Sequence, residues 1–316
     1  MTQPFDLAQT LRVLAVSTSV RDVLRAEPDG GLTGALGLGE QAIVYTLAPE
    51  PAGELALTLT GALAWTDDAI RAAVAMVDHF LALTEDLTPF YALASQDAAF
   101  APVVASFHGY HPTRFPSPFE AACWAILTQH NHMSIAGKMK RDLTHALGSA
   151  VTVGDDTYAV FPTAGQLAAA SPELLLVTIK NEQRAMYLYG LAHAFRDADP
   201  RLLTDAPYAE AEAWLRTIPG IGPWSAQFTL LRGVGRTDGP VTVDAPLLRA
   251  MVEVYGHDLV TDTAQAKRLA ESYRPHHAHW AHYLRVHSWL ARKTRGRRQQ
   301  VMPAPSQARS GGPEPG

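Results

Sequence analysis

Two short stretches combine residue types that could do chemistry together. The first is 215–231, LRTIPGIGPWSAQFTLL. Gly220 and Gly222 flank Ile221, and Pro223 follows them. Proline suits the first turn of a helix, where its missing N–H would have no partner. Glycines at such a turn leave the backbone amides bare, so they can meet a phosphate oxygen directly, while Ile221 pins the turn to a core. On the opposite side, the carbonyls of Arg216, Ile218 and Ile221 suit a monovalent cation, Na+ or K+. Trp224 and Phe228 stand one helical turn apart and share a face, as a core aromatic pair would. The second stretch is 239–249, GPVTVDAPLLR. Asp244 there joins an extended apolar segment to a new helix. It reads as that helix's N-cap, or as a carboxylate at the mouth of a cleft, aimed where positive charge develops.

The other candidates are weaker. Five of thirteen histidines lie between His276 and His287. His279 and His282 have helical spacing for a metal, but no acid or thiol is placed to complete the site. Seven basic residues and one acid fall within 271–298, a solvated tail or a patch for phosphates. Cys123, alone in the chain, excludes an internal disulfide and a zinc site of several thiolates, and reads as a buried core residue. There is no phosphate-binding GxxxxGK[ST] loop and no GxSxG nucleophile turn.

The elements that must carry these residues follow from periodicity. The chain has 316 residues with a net charge of −5, 47% hydrophobic and 18% charged, enough for two domains with proper cores. Apolar runs are too short to span a membrane, the start has no signal-peptide pattern, and a cytoplasmic setting fits. Residues 1–65 read as a small antiparallel sheet, with strands at 42–47 and 55–59 and weaker ones at 13–20 and 25–38. A helix crosses it at 67–83 through Ile70, Val74, Val77 and Phe80. Helices then follow at 119–129, 134–147, 163–169, 171–179, 183–197, 206–217, 223–233, 246–255, 262–274 and 278–292. Residues 148–158 read as a polar interruption. The expected division is a sheet-rich domain at 1–87, a helical core at 88–295 holding the hairpin at 206–233, and a disordered tail at 296–316.

IPGIGPWSA followed by GPVTVDAPLLR resembles the helix-hairpin-helix DNA glycosylases, most closely the bacterial 3-methyladenine DNA glycosylase II (AlkA) group. FPSPFEAACWAILTQHNHMSIAGK at 115–138 and KNEQRA at 180–185 resemble further parts of that group. The similarity covers about 70–290. It implies an α+β fold: a mostly helical, two-lobed glycosylase core after a small N-terminal antiparallel sheet. It implies that Asp244 is the catalytic aspartate and that Gly220, Ile221 and Gly222 hold the DNA backbone. Trp224 stands where bifunctional members carry a Schiff-base lysine, so a monofunctional enzyme is expected. Trp224, Phe228, His276 and His277 become the base pocket. One of the two histidines replaces a tryptophan of the group's pattern. Gln129, His130 and Asn131 become the loop that wedges into the duplex, with His130 where the group often has an apolar residue, and Arg249 a further DNA contact. The implied activity is hydrolytic removal of a damaged, alkylated purine from double-stranded DNA by a monomer that needs no cofactor. The residues leave open a glycosylase for oxidised or deaminated purines, and a non-catalytic helix-hairpin-helix DNA-binding protein.

Overall fold

The computed structural model describes residues 5–15, 17, 24–51, 54–260 and 262–301, with backbone alone from 294 onward. Helix α1 (Leu7–Leu14) starts at Asp6, whose side chain accepts the Gln9 amide at 3.0 Å. Val13, expected in a strand, is buried in the last turn of this helix, because the cap and the spacing Leu7, Thr10, Val13, Leu14 favour a helix. The rest of that expected strand, apart from Leu14, Ala15 and Ser17, lies outside the described residues. Strands β1 (Leu24–Ala26), β2 (Leu32–Leu38), β3 (Gln41–Pro49) and β4 (Leu55–Thr60) form an antiparallel meander in sequence order. Helix α2 (Asp67–Leu81) is capped by Thr66 and buries Ala73, Val77, Phe80 and Leu81 in the core that holds Leu36, Ile43 and Tyr45 of the sheet. Ile70 and Val74, expected on that face, are 40% and 43% exposed.

The helical part runs through α3 (Thr88–Ala94), α4 (Ala101–Ala105), α5 (Pro118–Thr128) and α6 (Met133–Leu147). Residues 148–158 are not a plain interruption. They contain most of a hairpin of β5 (Ser149–Val153) and β6 (Asp156–Val160), turned at Gly154 with φ +62°. Its alternating Val151, Val153 and Tyr158 pack beside Val160 against Ala35, Ala42 and Val44 of the N-terminal sheet, and Asp156 pairs with Arg25. Further helices are α7 (Ala164–Ala168), α8 (Pro172–Ile179), α9 (Glu182–Asp197), α10 (Arg201–Thr204), α11 (Tyr208–Thr217) and α12 (Pro223–Thr229). A π-helical segment, Leu230–Val234, continues α12. The chain closes with α13 (Ala245–Tyr255), α14 (Thr263–Ser272) and α15 (His277–Val301). Helix α15 overruns the expected start of the tail, so 296–301 are helical; 302–316 lie outside the described residues. No helix among the described residues is long and apolar enough to cross a membrane.

Two cores organise these helices. One unites α5 to α12 around Trp124, Leu188, Leu215, Ile221 and Leu230. Within it, Glu120 and Lys140 form a buried ion pair at 2.7 Å that ties α5 to α6. The other joins α3 and α4 to α13, α14 and α15 around Phe90, Phe107, Met251, Trp280 and Tyr283. Cys123 is buried in the first core, where burial pushes its thiol well above the usual range. The segments that cross from one core to the other build the cleft between them.

Candidate active site

Helices α11 and α12 meet in the turn Ile218–Gly222, closed by the Ile221 amide donating to the Ile218 carbonyl at 3.0 Å. Gly220 has φ +89°, a left-handed conformation that disfavours any side chain, and a Cβ there would lie 2.6 Å from the Tyr187 ring. Gly222 is the N-cap of α12, has no side-chain cap bond, and faces open space. Ile221 is buried in the first core as its anchor. Gln129 fixes the turn from the side. Its Nε2 donates to the Gly220 carbonyl at 2.7 Å, and its own carbonyl accepts Arg184 Nη2 at 2.5 Å. Next to it His130 is exposed with φ +53°. Asn131, expected to reach DNA, donates Nδ2 to the Leu127 carbonyl at 2.9 Å. The end of α5 leaves carbonyls without helical partners, and this amide supplies a donor. Arg249 is exposed on α13.

The cleft has a volume of about 180 Å³, more than the ~150 Å³ cavity that takes up a benzene ring. One wall is the stacked pair Trp224 and Phe228, with ring centroids 5.1 Å apart and planes at 22°. Phe228 rests edge-on against buried Phe115, which fixes the stack, while Trp224 stays 41% exposed. The opposite wall is a face of α15, Ala278, Ala281, His282 and Arg285, together with the loop 239–242 and Asp244.

Asp244 caps α13 and also lines the cleft. As N-cap of α13 its Oδ1 accepts the Leu247 amide at 2.9 Å. The same Oδ1 accepts Arg285 Nη1 at 2.7 Å, while Arg285 Nη2 donates to the Thr242 carbonyl at 3.1 Å. Both bonds go to one oxygen, so Oδ1 is anchored and Oδ2 is left for the cleft. A carboxylate with one oxygen fixed and one exposed can stabilise a cation or orient a water.

His276 and His277 do not join this pocket. His277 is buried with Nε2 bonded to the Gly239 carbonyl at 2.7 Å, and His276 sits beside Phe90 and His279. His277 opens α15 and His276 precedes it, and neither is on the helix face, Ala278, Ala281, His282 and Arg285, that lines the cleft. In their place stands His282, whose Nε2 meets the Tyr110 hydroxyl at 2.9 Å. Burial, then the charges of Arg232, His279 and Arg285, hold His282 well below the usual histidine range, so it is neutral at pH 7. Arg232 comes from the π-helical segment. Its Nη2 donates to the Thr113 carbonyl at 2.7 Å, and burial lowers its pKa. Arg232, His282 and Arg285 are functional candidates that the motif reading missed. The spacing 278, 281, 282, 285 on one helix face was the signal available for two of them.

His279 bonds Glu85 at 2.8 Å and His282 bonds Tyr110, so the histidine spacing serves packing. Among the described residues no group of three His, Cys, Asp or Glu is placed to hold a metal. No lysine lines the cleft among the described residues; Lys138 pairs with Asp142 and Lys140 with Glu120.

No protein-family model matches the chain. A DNA-3-methyladenine glycosylase of Bacillus subtilis is 30% identical over 161 residues, which is 50% of this chain and 53% of that protein. The chain thus aligns with about half the length of the curated relatives it matches. The 3-methyladenine DNA-glycosylase of Archaeoglobus fulgidus superposes with a TM-score of 0.77 at 18% identity, covering 92% of this chain and 97% of that one. The 8-oxoguanine glycosylase/lyase of Clostridium acetobutylicum, in complex with double-stranded DNA, superposes at 0.70 with 16% identity, covering 93% of each.

Proposed function

We propose that this chain, which has the helix-hairpin-helix glycosylase fold and resembles the 3-methyladenine glycosylases in sequence over half its length, is a monofunctional DNA N-glycosylase. It receives an alkylated purine flipped from double-stranded DNA and hydrolyses its N-glycosidic bond, leaving an abasic site. The observation that carries this reading is Asp244: Oδ1 anchored by α13 and Arg285, Oδ2 open to a cleft whose other wall is the Trp224–Phe228 stack. A base inside a duplex is unreachable, and flipping it out costs a few kcal/mol, least for a damaged base. The bare hairpin at Gly220–Gly222 would hold the backbone, with His130 as the wedge. The aromatic stack would hold the base, and attract a cationic alkylated ring by ~0.5–2 kcal/mol.

As the bond breaks, positive charge builds on the sugar. Oδ2 of Asp244 is the group aimed to stabilise it and to orient the attacking water. The carbonyls of Arg216, Ile218 and Ile221 would hold a monovalent cation against the phosphate; the Ile218 oxygen keeps a second lone pair beyond its turn bond. The Schiff-base route needs an amine at the cleft, and Trp224 supplies none. A purely DNA-binding hairpin has no use for a carboxylate set beside phosphates. The groups named all come from one chain, so a monomer suffices.

The test is a set of duplexes, each with one defined lesion, scored for free base and for the state of the strand. Free base with an intact, alkali-labile strand and no borohydride-trapped adduct is expected. A trapped adduct abolished by mutating one lysine would contradict the monofunctional reading.

A further inference from the structure

We propose that His282 and Arg232 form a wall of hydrogen-bond donors that reads the far edge of the flipped base and favours 6-oxo purines over 6-amino purines. The proposal rests on the glycosylase reading and names the substrate class within it.

His282 and Arg232 line the cleft, and they also line a second cavity of about 20 Å³, room for a single water, whose other walls include Glu85, Arg114 and His279. The two side chains therefore stand between the cleft and this second cavity. Asp244 marks the other end, paired with Arg285 three residues further along α15. A nucleotide that presents its sugar to Asp244 must point the opposite edge of its purine, the six-membered ring with the 6-substituent, at this inner wall.

The wall can only donate. Arginine has no acceptor, and the buried Arg232 Nε has no partner. For His282 the partner decides. The Tyr110 hydroxyl meets His282 Nε2 at 2.9 Å, and in this proposal the phenol O–H is the donor. A neutral imidazole whose Nε2 accepts carries its proton on Nδ1, the nitrogen left for the cleft. Tyr110 is itself buried and held in the second core, so the arrangement has no slack. At the 6-position a guanine-type edge offers the O6 acceptor to such a wall, whereas an adenine-type edge offers the N6 amino donor there. Donor against donor leaves both groups unsatisfied, and a site built to bond one group discriminates against the analogue that lacks it.

The experiment uses DNA treated with N-methyl-N-nitrosourea, which carries 7-methylguanine, a 6-oxo purine, and 3-methyladenine, a 6-amino purine, in one sample. The two free bases are separated by chromatography, and the readout is the ratio of their release rates. Relative to the wild type, His282→Leu should lower the 7-methylguanine to 3-methyladenine ratio about tenfold, the worth of one such bond. Tyr110→Phe keeps the imidazole but frees its tautomer, and should lower the ratio severalfold. His282→Asn restores a donor where Nδ1 stood and should hold the ratio within about twofold. A ratio that stays within twofold in His282→Leu or Tyr110→Phe, or that falls in His282→Asn as far as in His282→Leu, overturns the proposal while leaving the glycosylase reading intact. A wild type that releases neither base overturns both.

Discussion

The two walls of the cleft are built by opposite means. The hairpin wall is local: Gly220, Gly222, Trp224 and Phe228 lie within nine residues, and one turn followed by one helix places them all. The α15 wall, together with Arg232 of the π-helical segment beside it, is assembled across the chain. Arg285 reaches Asp244 across 41 positions, Arg232 reaches Thr113 across 119, and His282 reaches Tyr110 across 172. On the proposed reading the local wall would give a flipped nucleotide a backbone grip and a flat surface, and the assembled wall would supply charge and hydrogen bonds for the chemistry and the choice of base.

That contrast can be broken by substitution. Trp224→Ala removes half of the stack, and stacking on an aromatic side chain is worth ~1–3 kcal/mol per base. Base release should fall roughly 5- to 150-fold for every lesion alike. A loss confined to one lesion would mean that the hairpin wall selects as well as holds.

The two glycines separate fold from grip. Gly220→Ala puts a Cβ at φ +89° against the Tyr187 ring and should cost about 1–3 kcal/mol, read as a lower melting temperature. Gly222→Ala meets open space, so the melt should stay and duplex affinity should drop. The reverse pattern would exclude Gly222 from DNA contact.

The assembled wall and its neighbours should show in the pH dependence of stability. His282 and His79 are depressed below the ordinary ~6.5, both chiefly by burial. As pH falls through 6.5 the unfolded chain takes up protons that the folded chain refuses. Stability should therefore drop on acidification, by up to ~1.4 kcal/mol per pH unit for each histidine. Below ~4.3 a further loss follows. Glu85 is lowered because its bonds to His279 and its pairing with Arg114 outweigh its burial, and folding is weakened once it protonates. Urea melts between pH 7.5 and 5.5 check the first window. His79→Gln keeps a donor for the Gly233 carbonyl that His79 Nε2 reaches at 2.9 Å, and should flatten the slope. An unchanged slope would show that His79 does not titrate in that window.

The smallest effect concerns the end of the chain. Arg292 already pairs with Glu253, and removal of everything after Arg298 touches no group of the cleft. Base release should be unaltered in that truncation, measured on the same duplexes; a loss would assign the segment a role.

The same contrast explains what was legible in the sequence. The hairpin, its aromatic pair and Asp244 were legible because their geometry follows from adjacent residues: proline at a helix start, glycine at a tight turn, a cap before a helix. Most helices followed from period and caps, such as Thr163 with Gln166 around α7. The pocket histidine was misplaced because His276, His277, His279 and His282 are alike in type. Only the rotation of α15, set by Trp280 and Tyr283 in the second core, decides which one reaches the cleft. Arg232 was hidden for another reason: a π-helical turn shifts the face on which residues 230–234 point, and apolar periodicity carries no sign of it. The β5–β6 hairpin escaped because its partner surface belongs to residues more than a hundred positions earlier.

Asp244 carries the proposed chemistry, and one variant isolates it. Asparagine caps a helix about as well as aspartate, so Asp244→Asn keeps α13 and removes only the charge. Single-turnover release of a methylated purine from a duplex should fall by ~10²–10³, the usual cost of losing one aimed electrostatic group. Affinity for the duplex should hold or rise slightly, because a repulsion with phosphate is lost. Release within threefold of wild type would contradict the assignment of Asp244, and with it the placing of the chemistry in this cleft.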